Sequence, residues 1–199
     1  MAFTRNGYGQ VEPNQLSAQK TGQIYASLAL DENVKVLQNG EFMYYDYATG
    51  KVTADGTGEP MLVYNEIKLY DGWRDKLKDF AMIRVGENYV TSRQVAEEYK
   101  ISNGATIDPA HTEYGYRMDG IAPRLFKTNI GDVFTTNMVK VLADDDYAQG
   151  DILVPVKNTT SKTLVLEKGT KPSTGMAWVV AKRYTMPDGQ PGVKVQRIQ

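Results

Sequence analysis

The sequence predicts a mainly β protein: antiparallel barrel or sandwich elements, one or two short helices and an extended N-terminal arm. Three observations predict it. Short apolar runs separated by turn dipeptides recur from Ile24 onward; six such runs follow Gly131 with no helical run between them; and the first 23 residues carry few large apolar side chains. Regular strand-length runs at spacings of about ten residues are the mark of sandwiches and barrels.

Residues 1–23 contain Asn6, Gly7, Gly9, Pro13, Asn14, Gln15, Gln19, Gly22 and Gln23, which favour solvated coil. Such a stretch cannot offset its ordering entropy unless something covers it, so it reads as an arm. Val34 to Gln38 and Glu41 to Tyr47 flank Asn39-Gly40, the pair best suited to a two-residue hairpin turn with positive φ at both central positions. Ala48 to Lys51 turns the chain into a weaker strand near Val52, and Asp55 to Gly58 is a polar loop. Met61 to Tyr70 alternates as a further strand.

Trp73, Leu77 and Phe80 fall at helical spacing, while Ala81 to Val85 fits a strand equally well; a short helix is assigned to the former. A second helix begins at Thr91, where Thr91 and Gln94 form a capping-box pair, and Asn103-Gly104 ends it. The later strands are Val133 to Asn137, Met138 to Leu142, Ile152 to Val156, Leu164 to Glu167, Trp178 to Met186 and Val193 to Ile198. Gly131-Asp132-Val133-Phe134 and Gly150-Asp151-Ile152-Leu153 share a turn-then-strand pattern, and Asn158-Thr159-Thr160 reads as a turn rather than a glycan acceptor. The expected organisation is an arm over 1–23, a β-rich mixed domain with short helices over 24–130 and an antiparallel barrel or sandwich over 131–199.

Composition narrows function mainly by exclusion. The 199 residues hold no cysteine and one histidine, which removes disulfide frameworks, thiolate metal sites, thiol nucleophiles and any site needing paired imidazoles. Lys and Arg number 23 against 24 Asp and Glu, so no overall field draws the chain to a polyanion. Met1 to Gln10 lacks the apolar core of a secretory signal, and no run reaches the roughly 18–20 apolar residues of a membrane helix. A soluble protein without membrane or nucleic-acid partners is expected.

The remaining candidates for chemistry fail on spacing. His111 lies in a turn-rich loop with no nucleophile motif to serve. Asp144-Asp145-Asp146 departs from a calcium loop, since Ala148 and Gln149 stand where an oxygen ligand and the turn glycine belong. The Gly50 to Gly58 and Gly169 to Gly175 loops lack a phosphate-cradling motif, and Glu97 and Glu98 point apart on a helix. Thr91 to Ile107 opens like a helix-turn-helix, but Gly104 and Pro109 interrupt it and no basic row follows. No catalytic residue, metal or cofactor is expected, and the chain reads as a non-enzyme.

Tyrosine is the positive feature, at 13 residues. Phe42, Tyr44, Tyr45 and Tyr47 crowd one strand on both faces, which suits a core sandwich, a protein partner or a sugar ring.

Gly131 to Asn137, Gly150 to Pro155 and the ending from Ala177-Trp178-Val179-Val180-Ala181-Lys182 through Thr185 to Ile198 resemble tailed-bacteriophage virion proteins of the capsid decoration, or cement, type. Asn6 to Gln23 has the look of an arm from such a protein. The resemblance implies a noncatalytic minor virion protein on the capsid exterior, made in the host cytoplasm. It would contact the major capsid protein and neighbouring copies of itself, stabilising the head. The expected partner-binding residues are Phe3, Tyr8, Val11 and Leu16 on the arm and Tyr44, Tyr45 and Tyr47 on the aromatic strand. A tail or connector location, or a carbohydrate-binding module stacking sugars on Tyr44, Tyr45, Tyr47, Trp73 and Trp178, are the alternatives.

Overall fold

The computed structural model describes residues 9–26, 28–34, 36–65, 123–140, 147–186 and 189–199, together with the backbone of 80–83. The first expected helix as far as residue 79, the second expected helix within the Thr91 to Ile107 segment, residues 66–70 of the strand expected over Met61 to Tyr70, His111 and Asp144 to Asp146 lie outside these residues.

The described chain is mainly β, an antiparallel sheet curled into a half-barrel. In chain order the elements are β1 (Val11–Gln15), α1 (Ser17–Thr21), β2 (Ile24–Tyr25), β3 (Ala29–Leu30), β4 (Val36–Gln38), β5 (Phe42–Asp46), β6 (Lys51–Thr53) and β7 (Met61–Val63). They continue as β8 (Phe80–Ile83), β9 (Leu125–Phe126), β10 (Val133–Thr136), β11 (Ile152–Asn158), β12 (Thr163–Lys168), β13 (Trp178–Thr185) and β14 (Pro191–Arg197). The strands expected after Gly131 appear as β10 to β14. Of the stretch expected from Met138, Val139 makes only an isolated bridge to Leu166. Phe80, assigned to a helix by spacing, opens strand β8 instead: its backbone finds a ladder partner in β4.

Twelve strands form one sheet, with the main path β1-β10-β14-β13-β11-β12-β5-β7-β9-β2. The pairing of Leu164 on β12 with Phe42 on β5 carries the sheet across the expected boundary at residue 130. The two ends of this path, β1 and β2, are consecutive in the chain, separated only by residues 16–23 and the single turn of α1. Because so short a connection spans the gap, the sheet must bend its two edges toward each other. Leu16 and Ala18 are buried at this seam. Asp132, 4% exposed, fastens it by accepting hydrogen bonds from the Ser17 backbone N–H at 3.0 Å and the Ser17 hydroxyl at 2.9 Å. Residues 9–23 of the expected arm therefore belong to the body. Counting apolar residues missed this because one edge strand and two small contacts suffice once β10 supplies the ladder.

The core centres on three rings brought together from distant strands. Trp178 of β13 lies 4.9 Å from Phe134 of β10, edge to face, and 5.8 Å from Phe42 of β5, with Phe42 and Phe134 6.3 Å apart. All three are fully buried. Arg197 at the end of β14 is buried too. Its guanidinium donates to the Thr128 carbonyl, to the Thr128 hydroxyl at 3.2 Å, to the Gln199 carbonyl at 2.8 Å and to Glu59 at 2.5 Å, so its charge is paired.

One turn design occurs three times among the described residues. In Gln38-Asn39-Gly40-Glu41, Asn129-Ile130-Gly131-Asp132 and Ala148-Gln149-Gly150-Asp151, the fourth backbone N–H donates to the first carbonyl, at 3.2, 3.0 and 3.1 Å. The fourth residue's carboxylate reaches back to the first N–H, at 2.8, 2.9 and 2.8 Å. Each third residue is a glycine at positive φ, 93°, 95° and 92°. The acid thus satisfies the donor that a turn leaves unpaired, and only glycine adopts the third position without steric cost. Burial pushes the Asp151 carboxyl up, but the Lys168 ammonium 2.9 Å away and the Ala148 N–H together hold it below the ordinary carboxylate range.

The first of these turns corrects the expected hairpin. Both strand-pairing two-residue turns need positive φ at the first central residue, yet Asn39 has negative φ and Gly40 positive, the φ pattern of a type II turn, which splays the flanking strands. β4 accordingly pairs β8, and β5 pairs β6, β7 and β12.

The β11–β12 hairpin closes as expected around Asn158, whose side-chain carbonyl accepts the Thr160 and Ser161 N–H groups at 2.9 and 3.3 Å. Lys162 ends this turn at φ 56°, the only non-glycine at positive φ among the described residues. Left-handed backbone costs a residue that carries a Cβ ~1–2 kcal/mol. Lys162→Gly is expected to stabilise the fold by about 1 kcal/mol after glycine's extra unfolded-state freedom is subtracted. In thermal melts this is a rise of roughly 2–4 °C, and an unchanged or lower Tm would contradict it.

Candidate functional site

Strand alternation divides the aromatic residues of β5. Phe42 and Met43 enter the core. Tyr44 is half-buried beneath the Asp55-Gly56 loop, so close that a Cβ on Gly56 would lie 2.3 Å from the Tyr44 Cβ, and burial pushes its phenol up. Tyr45 and Tyr47 project from the opposite face, their rings 4.8 Å apart and edge to face. Tyr47 is 77% exposed, the most exposed large hydrophobic side chain among the described residues.

Two residues from other parts of the chain complete this patch. Tyr25, on edge strand β2, brings its hydroxyl toward that of Tyr47; this neighbouring phenol, with some burial, raises Tyr47 above the ordinary tyrosine range, against the pull of the Lys127 ammonium. Lys127 follows β9 and its backbone N–H donates to the Gln23 carbonyl at 3.1 Å, which anchors it beside β2. The result is a patch in which the exposed Tyr47 ring rests on half-buried Tyr45 and Tyr25 beside one exposed cation, Lys127. Such a surface offers apolar area and hydrogen bonding at low side-chain entropy cost, since tyrosine has few rotatable bonds. A second exposed apolar side chain, Ile130 at 72%, is held out by the Asn129 to Asp132 turn.

The other expected partner residues fall differently. Val11 and Leu16 are buried in the chain's own core, because β1 is laced to β10 and Leu16 plugs the seam; their side chains face inward rather than toward a partner. Phe3, Tyr8 and Trp73 lie outside the described residues. Trp178 is fully enclosed and cannot stack on a sugar. Sequence reading missed Tyr25 and Lys127, which share the patch only because the sheet path returns β9 and β2 toward β5. Their sole sequence signal is apolar-to-polar alternation around Ile24-Tyr25.

A polar groove of about 300 Å³ lies between Asp31, Thr53, Asp55, Lys157 and Lys162. Lys157 pairs with Asp55 across it, so its charges largely compensate. Among the described residues, no group of three or more histidine, cysteine, aspartate or glutamate side chains is placed to hold a metal ion, and no helix is long and apolar enough to cross a membrane. No family model matches the chain, and neither a curated protein nor a solved structure does.

Proposed function

We propose that this chain is a noncatalytic virion structural protein of the decoration type, binding the outer surface of the major capsid protein lattice and stabilising the head. The observation that carries the reading is the exposed Tyr47 ring, seated on half-buried Tyr45 and Tyr25 at the sheet edge with the exposed Lys127 beside it. It stands beside the resemblance of the Gly131 to Ile198 strands to such proteins. Tyrosine anchors on a pre-ordered scaffold give association without much ordering cost.

Co-sedimentation with purified heads tests the reading. The protein is expected to saturate the shell at a fixed ratio to the capsid subunit. Tyr47→Ala should weaken binding tenfold or more, about 1.4 kcal/mol, with the melting temperature little changed because the ring is 77% exposed. Removing residues 1–23 would not be a clean test, because it deletes β1 and α1 from the sheet. Absence of binding to heads, or location of the chain in the tail or connector, would refute the decoration reading.

The exposed Tyr47 ring supports a second reading, a carbohydrate-binding module. Tyr47-dependent hits on a glycan array, together with no affinity for heads, would put that reading first.

A further inference from the structure

Asn-Gly is the dipeptide most prone to self-modification, because glycine leaves its backbone nitrogen unhindered. After losing its proton to hydroxide, the glycine nitrogen attacks the side-chain carbonyl carbon of asparagine. A new C–N bond closes a cyclic imide while the bond to the side-chain nitrogen breaks and ammonia leaves. Water then opens the imide at either carbonyl, giving aspartate or isoaspartate.

In the native fold each participant at Asn39-Gly40 is occupied. Asn39 is 2% exposed. Its side-chain oxygen accepts the Asn65 N–H at 2.7 Å and its amide nitrogen donates to the Asn65 carbonyl at 3.4 Å, so the carboxamide is clamped against the end of β7. The attacking atom, the Gly40 nitrogen, donates its proton to the Val63 carbonyl at 2.9 Å. Gly9 passes over the turn: its N–H donates to the Gln38 side-chain oxygen at 2.9 Å, and a Cβ there would lie 2.2 Å from the Asn39 carbonyl oxygen. Hydroxide, water and rotation of the side chain are all excluded together.

We infer that Asn39-Gly40 is a latent modification site, a deamidation site that the native turn keeps unreactive and that opening of the turn releases. The reaction would also hinder return. Aspartate places an oxygen where the amide nitrogen faced the Asn65 carbonyl, and isoaspartate adds a methylene to the backbone of a buried turn. A chain that has opened and reacted is therefore marked and kept from its original packing.

Incubation of the full chain in mildly alkaline buffer, native and in denaturant, followed by peptide mass spectrometry, tests this. In denaturant the peptide containing Asn39 should gain the mass of an amide-to-acid conversion, alongside those containing Asn6-Gly7 and Asn103-Gly104. In native buffer Asn39 should react at least roughly a hundredfold more slowly, following the population of the locally open state. Native and denatured rates within about threefold of each other would overturn the inference. Asn39→Asp, made directly, should unfold at lower denaturant than the wild type; an unchanged midpoint would overturn the claim that the product resists repacking.

Discussion

Trp178→Ala is expected to cost about 4 kcal/mol, the middle of the range for emptying a fully buried large aromatic site. The indole is enclosed and touches rings from two other strands, so its loss opens a cavity where β13, β5 and β10 converge. These strands are spread over the main sheet path, and collapse around the void would require moving backbone that is hydrogen-bonded on both sides. Edge-to-face packing on Phe134 adds an aromatic contribution of ~0.5–1.5 kcal/mol to plain area burial. The Trp178 Nε1 is the one buried side-chain nitrogen or oxygen among the described residues without a hydrogen-bond partner. A buried unpaired donor costs ~1–3 kcal/mol, so the site is retained for packing and in spite of its polar atom. Trp178→Phe separates the two effects: it deletes the orphan donor, keeps a ring against Phe42 and Phe134, and should fall within about 1 kcal/mol of the wild type. Urea titration followed by circular dichroism checks both. A Trp178→Ala loss below about 1 kcal/mol, or a Trp178→Phe loss equal to it, would show that the three rings are not the centre of the core.

Local rules revealed the strands after Gly131 because their evidence is local: Ile152 to Asn158, Trp178 to Thr185 and Pro191 to Arg197 are strand-length runs punctuated by Gly150, Asn158 and Gly189. Pairing was less visible. β5 lies between β12 and β7, and β2 closes the far end of the path; neither relation leaves a trace in neighbouring residues. The same distinction holds at the candidate site. Tyr45 and Tyr47 share a face by strand periodicity alone, whereas Tyr25 and Lys127 reach them through three non-local pairings, β5 with β7, β7 with β9 and β9 with β2. The Gly131-Asp132 and Gly150-Asp151 pattern was visible as turn chemistry. Its third instance, Gly40-Glu41, was hidden behind an Asn-Gly signal that favours a different turn.

The threefold recurrence of that turn supplies its own controls for the second large effect, Gly40→Ala. At Gly131 and Gly150 an added Cβ meets nothing within 4 Å, so alanine there pays only for backbone in the left-handed region, ~1–2 kcal/mol. At Gly40, with nearly the same φ, the Cβ would lie 2.6 Å from the Met138 Cβ and 2.6 Å from the Thr136 hydroxyl. The Met138 contact is the root of a buried side chain, not its flexible end, and Thr136 is held by β10 while its hydroxyl donates to the Gln10 carbonyl at 2.6 Å. Relief therefore requires the turn to move away from β10. That motion strains the Gly40 bond to Val63 and the Glu41 bonds to Gln38 and to the Thr163 hydroxyl, 2.8 Å away. Overpacking of this kind adds ~1–3 kcal/mol to the backbone cost, so Gly40→Ala is expected to lose about 3–4 kcal/mol in all. Chemical denaturation of the three alanine variants side by side should give a loss at Gly40 at least about twice that at either other glycine. Equal losses at all three would mean that the close approach of β10 to this turn does not constrain the fold.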